Sequence, residues 1–171
     1  MSLKKYLNQY PKEELILQIT ELHKKFKDVK SYYEVSMNPN SIKVKEEAKK
    51  KITKCFSLNI NVGAPLNLRE ARKIITDFKK LSLPDENVID LMLHYVERGI
   101  IYTNSFGDID MPFYNSVAGM SYDACMLIQK NNLQGSFNDR CLKMCKDTKG
   151  IGWGFHDELC FYYEKFIQPK K

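Results

Sequence analysis

The fold is decided by the stretch Pro84-Asp85-Glu86-Asn87-Val88-Ile89-Asp90-Leu91-Met92-Leu93-His94-Tyr95-Val96-Glu97-Arg98-Gly99-Ile100-Ile101. Proline followed by two acidic residues is typical of a helix start. Behind it, apolar residues cover most of the helix circumference, and a helix of this kind is buried by several neighbours. We therefore predict a helix over 84–101 at the centre of the fold.

The segments on either side carry the same helical spacing. Steps of three and four between apolar residues predict further helices. They cover about 12–30, 41–56, 112–132, 136–148 and 155–167, with one more that begins after Asn67. The first can extend to Val35, before Asn38-Pro39-Asn40 breaks it. The loop predicted over 57–67 contains an alternating stretch that is too short to predict a strand.

The fold class is therefore all-α, with six to seven helices. Short links favour antiparallel pairs of helices around the central one. Stacking of helix pairs in the manner of a solenoid is the alternative arrangement.

Length and composition predict one domain over residues 1–171. The chain is 43% hydrophobic and 28% charged, which is ordinary for a globular protein. We find no run of the roughly 20 apolar residues that a membrane span needs and no secretion signal, so we expect a cytoplasmic protein without a membrane partner. The five cysteines are an odd number, which favours free thiols.

The positive charge of the chain is concentrated near its start. The net charge is +6, and all of this excess lies in residues 1–62. We predict a lysine-rich helical hairpin over 1–62 and a helical core over 63–171. The helix over 41–56 carries the densest set of lysines, at Lys43, Lys45, Lys49, Lys50, Lys51 and Lys54. Nucleic-acid binding is a weak alternative to a solvated face, because no arginine precedes Arg69.

The segment Gly150-Ile151-Gly152-Trp153-Gly154-Phe155-His156-Asp157-Glu158 is the strongest candidate for a functional loop, predicted over 149–154. Three glycines permit backbone angles that other residues avoid. Trp153 and Phe155 could wall a pocket, with His156 and Asp157 as titratable groups. The alternative is a tight turn packed by Trp153, with the acidic residues favouring the start of a helix.

A second polar segment lies over residues 102–115, with a predicted loop over 102–111. Its oxygen-bearing residues could bind a hard cation, although the spacing lacks the terminal glutamate of an EF-hand. Acidic turn residues before the helix that Pro112 opens are the alternative. If the two segments meet in space, they define a candidate pocket formed by Glu97, Asn104, Asp108, Asp110, Tyr114, Asn115, Trp153, His156 and Asp157.

Two further sets of residues have the types and spacing of metal ligands. Asp90, His94 and Glu97 share one side of the central helix, where they could hold a metal, form the wet side of the helix, or join a buried polar network. We favour the wet side. Cys141, Cys145, His156 and Cys160 could form a zinc site on two helices. Cys141 and Cys145, however, also lie on the apolar stripe of their helix. The expected metal content is none, and no cofactor is indicated.

The chain resembles a family of uncharacterised bacterial proteins, domain of unknown function 6155, over nearly its whole length. The resemblance is carried by Leu3-Lys4-Lys5-Tyr6-Leu7, Phe26-Lys27-Asp28-Val29-Lys30-Ser31-Tyr32-Tyr33, Asn38-Pro39, Asp90-Leu91-Met92-Leu93, Tyr95-Val96-Glu97, Gly107-Asp108-Ile109, Pro112-Phe113-Tyr114-Asn115-Ser116 and Gly150-Ile151-Gly152-Trp153-Gly154-Phe155-His156-Asp157. It implies a soluble bacterial helical protein and brings no activity, cofactor or catalytic residue. Cys145 and Cys160 lie outside the shared pattern, which argues against zinc.

Three functions remain open at this point. The leading one is a non-enzymatic binding module for a protein or small-molecule partner, because we find no complete catalytic motif in the sequence. The second is an enzyme or ligand-binding protein whose site joins residues 102–115 to 150–158. The third, weaker one is association with nucleic acid through the lysines of residues 43–54.

Overall fold

The computed structural model describes residues 1–37, 41–56, 66–81 and 83–168, and these residues contain helices and no strands. Their helices are α1 Leu3–Leu7, α2 Lys12–Lys25, α3 Lys27–Met37, α4 Ser41–Cys55, α5 Leu68–Lys79, α6 Asp85–Phe106, α7 Met111–Lys130, α8 Gln134–Asp147 and α9 Phe155–Phe166. The all-α class is thus confirmed. The break predicted at 38–40 and most of the loop predicted over 57–67 lie outside the described residues.

Helix α6 is the central helix that the opening stretch predicts. It packs against α4, α5, α7 and α8. Ile89, Leu91 and Leu93 are completely buried, as expected for a helix that is apolar on nearly all sides. Its approach to α7 is close at Gly99, where an added Cβ would lie 2.7 Å from a methyl carbon of Val117.

Helix α6 continues beyond the predicted end at residue 101. It runs to Phe106, so the loop predicted over 102–111 is reduced to residues 107–110. The Ser105 hydroxyl donates to the carbonyl of Ile101 at 2.8 Å, so its hydrogen bond is made within the helix. Gly107 then ends the helix with a φ of 83°.

The helix predicted over 12–30 is two helices. Phe26 has extended backbone angles, φ −118° and ψ 119°, and separates α2 from α3. The apolar spacing does not reveal this break, since the Phe26 N–H still donates to the Leu22 carbonyl at 2.9 Å. Helix α1 has only five residues, too few to show periodicity. For these two reasons the described residues form nine helices and not six to seven.

The hydrophobic core includes α4 as well as the helices that follow it. Ala48, Ile52 and Phe56 are buried in the same cluster as the apolar residues of α5 to α9. In α1 to α3, by contrast, Val35 is the single buried residue. Packing therefore changes between α3 and α4, and the division at residue 62 stays a prediction.

Within the described residues, every helix is too short or too polar to cross a bilayer.

Candidate functional site

The two polar segments singled out in the sequence approach each other at Tyr114. The Trp153 indole stacks beside the Tyr114 ring, with 6.3 Å between centroids and 24° between the planes. The Tyr114 hydroxyl donates to a carboxylate oxygen of Asp108 at 3.4 Å. A Cβ added to Gly152 would lie 3.7 Å from that same oxygen. We call Asp108, Tyr114, Gly152 and Trp153 the Trp153 platform.

Trp153 is held in a backbone conformation that costs free energy. Its φ is 62°, in the left-handed region that residues other than glycine, asparagine and aspartate rarely adopt. Despite its size, the side chain is 55% exposed. A strained backbone that presents a large aromatic side chain to solvent is a feature expected at a binding site.

The residues on both sides of Trp153 hold it in this position. Ile151 packs against the core, and Phe155 is almost completely buried. The N–H of Ile151 donates to the Thr148 carbonyl at 3.0 Å, and that of Phe155 to the Gly152 carbonyl at 3.2 Å. Because the chain is anchored before and after it, Trp153 is directed outward.

Tyr114 forms the buried base of the platform. Its hydroxyl lies 2.7 Å from the hydroxyl of Thr103 on α6. Its ring also packs against Phe155, at 5.2 Å between centroids. Both Tyr114 and Thr103 are only 3% exposed, so the surface beneath Trp153 is fixed by the core.

Three other residues of the predicted pocket lie in or beside the 102–115 segment. The Asp110 carboxylate accepts from the Phe113 N–H at 2.9 Å and caps α7, as the turn interpretation predicted. The Asn104 amide donates to the Asp147 carbonyl at 3.0 Å and ties α6 to the end of α8. Asn115 is exposed on α7. Asp110 and Asn104 therefore have structural partners.

His156 is engaged on the inner side of the loop. The hydroxyl of Thr148, which is fully buried, donates to the Cys145 carbonyl at 2.8 Å. The same hydroxyl lies 2.9 Å from His156 Nδ1, so it must accept there, and Nδ1 carries the proton. His156 thus stabilises the end of α8. Asp157 is exposed in the first turn of α9, where a carboxylate is favourable.

Glu97 lies apart from the platform, in a charged network between α4, α6 and α8. Arg140 donates to both Glu97 oxygens, at 2.7 and 2.9 Å, and to Asp90 at 2.5 Å. Lys45 and Lys49 of α4 contact the other Asp90 oxygen at 2.8 and 2.9 Å. The network explains why an arginine stands on the inner side of α8, a role that the sequence pattern of α8 does not reveal.

This network corrects the interpretation of the strip Asp90, His94 and Glu97 as the wet side of α6. Burial raises the pKa of Asp90, but hydrogen bonds from Lys45, Lys49 and Arg140 outweigh it and hold the pKa far below its usual range. Burial lowers the pKa of His94, and its Nε2 lies 2.9 Å from the Thr53 hydroxyl. The strip is a partly buried polar network, which was the less favoured alternative.

Neither predicted metal set has the geometry of a metal site. Within the described ranges, no three His, Cys, Asp or Glu residues are placed to hold a metal ion. A hydrogen bond with Cys125, together with burial, raises the pKa of Cys141. Burial and a hydrogen bond with Cys160 raise the pKa of Cys145. A raised thiol pKa disfavours these cysteines as nucleophiles.

The lysines of α4 do not form one solvated face. Lys45 and Lys49 turn inward to Asp90, as described above. Lys43, Lys51 and Lys54 line a groove of about 1100 Å³ between α3, α4 and α5. Carboxylates from all three helices line the same groove, among them Glu34, Glu47 and Asp77. A phosphate backbone would meet both signs of charge there, which disfavours nucleic-acid binding.

The family model of DUF6155, a family of unknown function, matches residues 1–167, so the chain belongs to that family. This confirms the resemblance found in the sequence. Neither the curated proteins nor the solved structures give a significant match to the chain.

Proposed function

We propose that this member of DUF6155 is a non-enzymatic binding module, and that its Trp153 platform recognises a cationic side chain on a protein partner. The observation that carries the proposal is the half-exposed indole of Trp153, fixed above a buried tyrosine by a left-handed backbone. Rigid, exposed tryptophans are among the residues that contribute most to binding at protein interfaces.

The chemistry of the platform favours a cation. An indole face attracts a guanidinium or ammonium group, and a neighbouring carboxylate such as Asp108 adds a charge-assisted hydrogen bond. Segments 102–115 and 150–158 together hold four carboxylates, Asp108, Asp110, Asp157 and Glu158, and no lysine or arginine. Asp108, Asp110, Asp157 and Glu158 are all exposed, so carboxylates are available around the platform.

The same residues support binding better than catalysis. Tyr114, Asp110 and His156 have structural partners. Asp108 accepts a long hydrogen bond of 3.4 Å from Tyr114 but is exposed, so it and Trp153 can still contact a ligand. The Trp153 indole can bind but is not a nucleophile, whereas a carboxylate such as Asp108 can do either. Recognition without chemical conversion is the simplest use of such a surface.

We also propose that residues 1–171 act as one cytoplasmic domain with antiparallel neighbouring helices. The shared core of α4 to α9 supports the first part, and the five free cysteines agree with a reducing compartment.

The single tryptophan of the chain makes the proposal directly testable, since Trp153 is the only source of indole fluorescence. Titration with a tetra-arginine peptide should give a saturable change in emission, and a tetra-glutamate peptide should give none. Asp108→Asn keeps the fluorophore and removes the charge. We expect it to weaken binding about tenfold, which corresponds to about 1.4 kcal/mol.

A second variant separates binding from folding. Trp153→Gly relieves the strained backbone but loses the stacking on Tyr114, so we expect stability within about 1 kcal/mol of the wild type. Calorimetry should show no binding of the peptide to this variant. Phe161→Ala is the matched control, because Phe161 is a comparably exposed aromatic residue, 54% exposed on α9. Unchanged binding in Trp153→Gly, or equal loss in Phe161→Ala, would contradict the proposal.

A further inference from the structure

The contact between α8 and α9 brings two thiols and an imidazole together. Cys145 lies near the end of α8, and His156 and Cys160 lie four residues apart on one side of α9. The Cys145 thiol donates to the carbonyl of Leu159, directly before Cys160, at 3.4 Å. The two thiols also share a hydrogen bond. We call Cys145, His156 and Cys160 the thiol cluster.

The imidazole of His156 is oriented to accept a proton from Cys160. The Cys160 Sγ lies 3.7 Å from His156 Nδ1 and 3.8 Å from Nε2, within the reach of a sulfur hydrogen bond. Since Nδ1 donates its proton to the Thr148 hydroxyl, the free lone pair of the ring is on Nε2. A buried hydroxyl thus fixes the tautomer of His156 that can act as a base toward the Cys160 thiol.

Access to solvent distinguishes the two thiols of the cluster. Cys160 and His156 are half-buried, whereas Cys145 is only 6% exposed. Burial also raises the pKa of the Cys145 thiol. A dissolved reagent therefore reaches Cys160 first, and Cys145 lies behind it in the protein interior.

We propose that the thiol cluster is a site of reversible oxidation by hydrogen peroxide, at which Cys160 reacts first and Cys145 then forms a disulfide with it. In the first step, the Cys160 proton moves to His156 Nε2 and the thiolate attacks one peroxide oxygen. The O–O bond breaks, and Cys160 becomes a sulfenic acid. The departing hydroxide takes the proton from His156 and leaves as water.

The second step forms the S–S bond within the cluster. The Cys145 sulfur displaces the hydroxyl of the sulfenic acid, which leaves as water with the Cys145 proton. The reaction is intramolecular, so the contact between the thiols favours it despite the burial of Cys145. In total, two electrons pass from the thiols to the peroxide. A dithiol reductant reverses the oxidation by thiol–disulfide exchange.

A second pair of thiols provides a matched control within the same molecule. Cys125 on α7 and Cys141 on α8 also share a hydrogen bond. Both are only 2% exposed, so dissolved peroxide does not reach them in the folded protein. If contact between thiols were sufficient for oxidation, this pair would react as well. The proposal requires it to stay reduced.

Peptide mapping of the full chain after brief exposure to hydrogen peroxide tests the proposal. Catalase stops the reaction, and N-ethylmaleimide in denaturant then labels every remaining thiol. Trypsin cleaves the chain between Cys141, Cys145 and Cys160. We expect a disulfide that joins the peptides of Cys145 and Cys160, with Cys141 labelled. Oxidation of Cys141 to an equal extent, or the absence of a disulfide at Cys160, would contradict the proposal.

Three variants test the order of the steps and the role of His156. In Cys145→Ser, Cys160 should stop at the sulfenic acid, which dimedone traps. In Cys160→Ser, Cys145 should remain a free thiol. His156→Gln should slow the loss of the Cys160 thiol about 100-fold, the lower end of the effect of a positioned base. A wild-type rate in His156→Gln, or oxidation of Cys145 in Cys160→Ser, would overturn the assignment.

The folding of each variant is checked in the same samples. A misfolded chain exposes Cys141 to peroxide, so a labelled Cys141 shows that the core is intact. The map of the wild type decides between oxidation and no oxidation of the thiol cluster without any variant.

Discussion

Helices α1 to α3 and helices α4 to α9 share one kind of sequence pattern and differ in what they bury. Leu22 on α2 and Leu93 on α6 both stand on helical apolar stripes, yet Leu22 is 44% exposed and Leu93 is not exposed at all. The difference teaches that periodicity identifies an apolar helix face without identifying the surface that covers it. In α4 to α9 that surface is the core of the same chain.

Truncation of one leucine in each region should give the largest contrast in the free energy of unfolding. Leu93→Ala leaves a cavity beside a fully buried position, so we expect the free energy of unfolding to fall by about 3 kcal/mol. That is a loss of roughly 6–12 °C in Tm for a chain of this size. Leu17→Ala removes a side chain that is 69% exposed and should change stability by less than about 0.5 kcal/mol. If thermal unfolding shows equal losses of Tm in the two variants, the distinction between the regions is wrong.

Removing one ion-paired carboxylate from each region should give the next largest contrast in stability. Asp90→Asn leaves Arg140, Lys45 and Lys49 without their shared carboxylate. We expect the free energy of unfolding at pH 7 to fall by about 2 kcal/mol. Because the pKa of Asp90 is lower in the folded state, its carboxylate stabilises the fold above the unfolded pKa of about 4. That stability is lost as the pH falls toward the folded pKa.

Urea unfolding at several pH values checks this prediction. The difference between the wild type and Asp90→Asn should shrink as the pH falls below 4, since the Asp90 carboxyl then binds a proton in the unfolded chain but not yet in the folded one. Glu21→Gln is the control from α2, where the Glu21–Lys25 pair is 63% exposed on both side chains. It should leave the unfolding curve unchanged at every pH. A pH-independent effect of Asp90→Asn would show that the charges are not responsible.

Alanine substitutions at two helical glycines should change the free energy of unfolding by smaller amounts and with opposite signs. They report how closely α6 and α7 pack. Gly99→Ala places a methyl group too close to the Val117 side chain. We expect it to destabilise the protein by about 1–2 kcal/mol, despite the better helix propensity of alanine. The double variant with Val117→Ala should recover part of this loss. An added Cβ at Gly119, also helical, meets nothing within 4 Å, so Gly119→Ala should stabilise by about 0.5–1 kcal/mol. A stabilising Gly99→Ala would contradict the close contact between the helices.

The sequence allowed the prediction of features that depend on local patterns. The central helix α6, the Asn67 cap of α5 and the Asp110 turn before α7 each follow from a residue and its near neighbours. The features that we predicted wrongly depend on distant partners. Whether Asp90 and Glu97 are wet or buried is decided by Arg140 on α8, 50 and 43 residues away.

The candidate site shows the same limit. The glycine-rich loop was recognisable from its composition. In the structure, Trp153 of this loop lies beside Asp108 and Tyr114. The sequence could not tell that Glu97 lies elsewhere or that Thr148 engages His156, because both depend on how α8 is placed. The outward direction of Trp153 also depends on the anchors Ile151 and Phe155.

Hydrogen–deuterium exchange tests most directly the claim that α4 to α9 share one core from which α2 is left out. Amides of α6 should exchange slowly, because their hydrogen bonds lie inside the buried core. Amides of α2, a helix with no buried residue, should exchange much faster. If α2 is as protected as α6, the two regions do not differ as described.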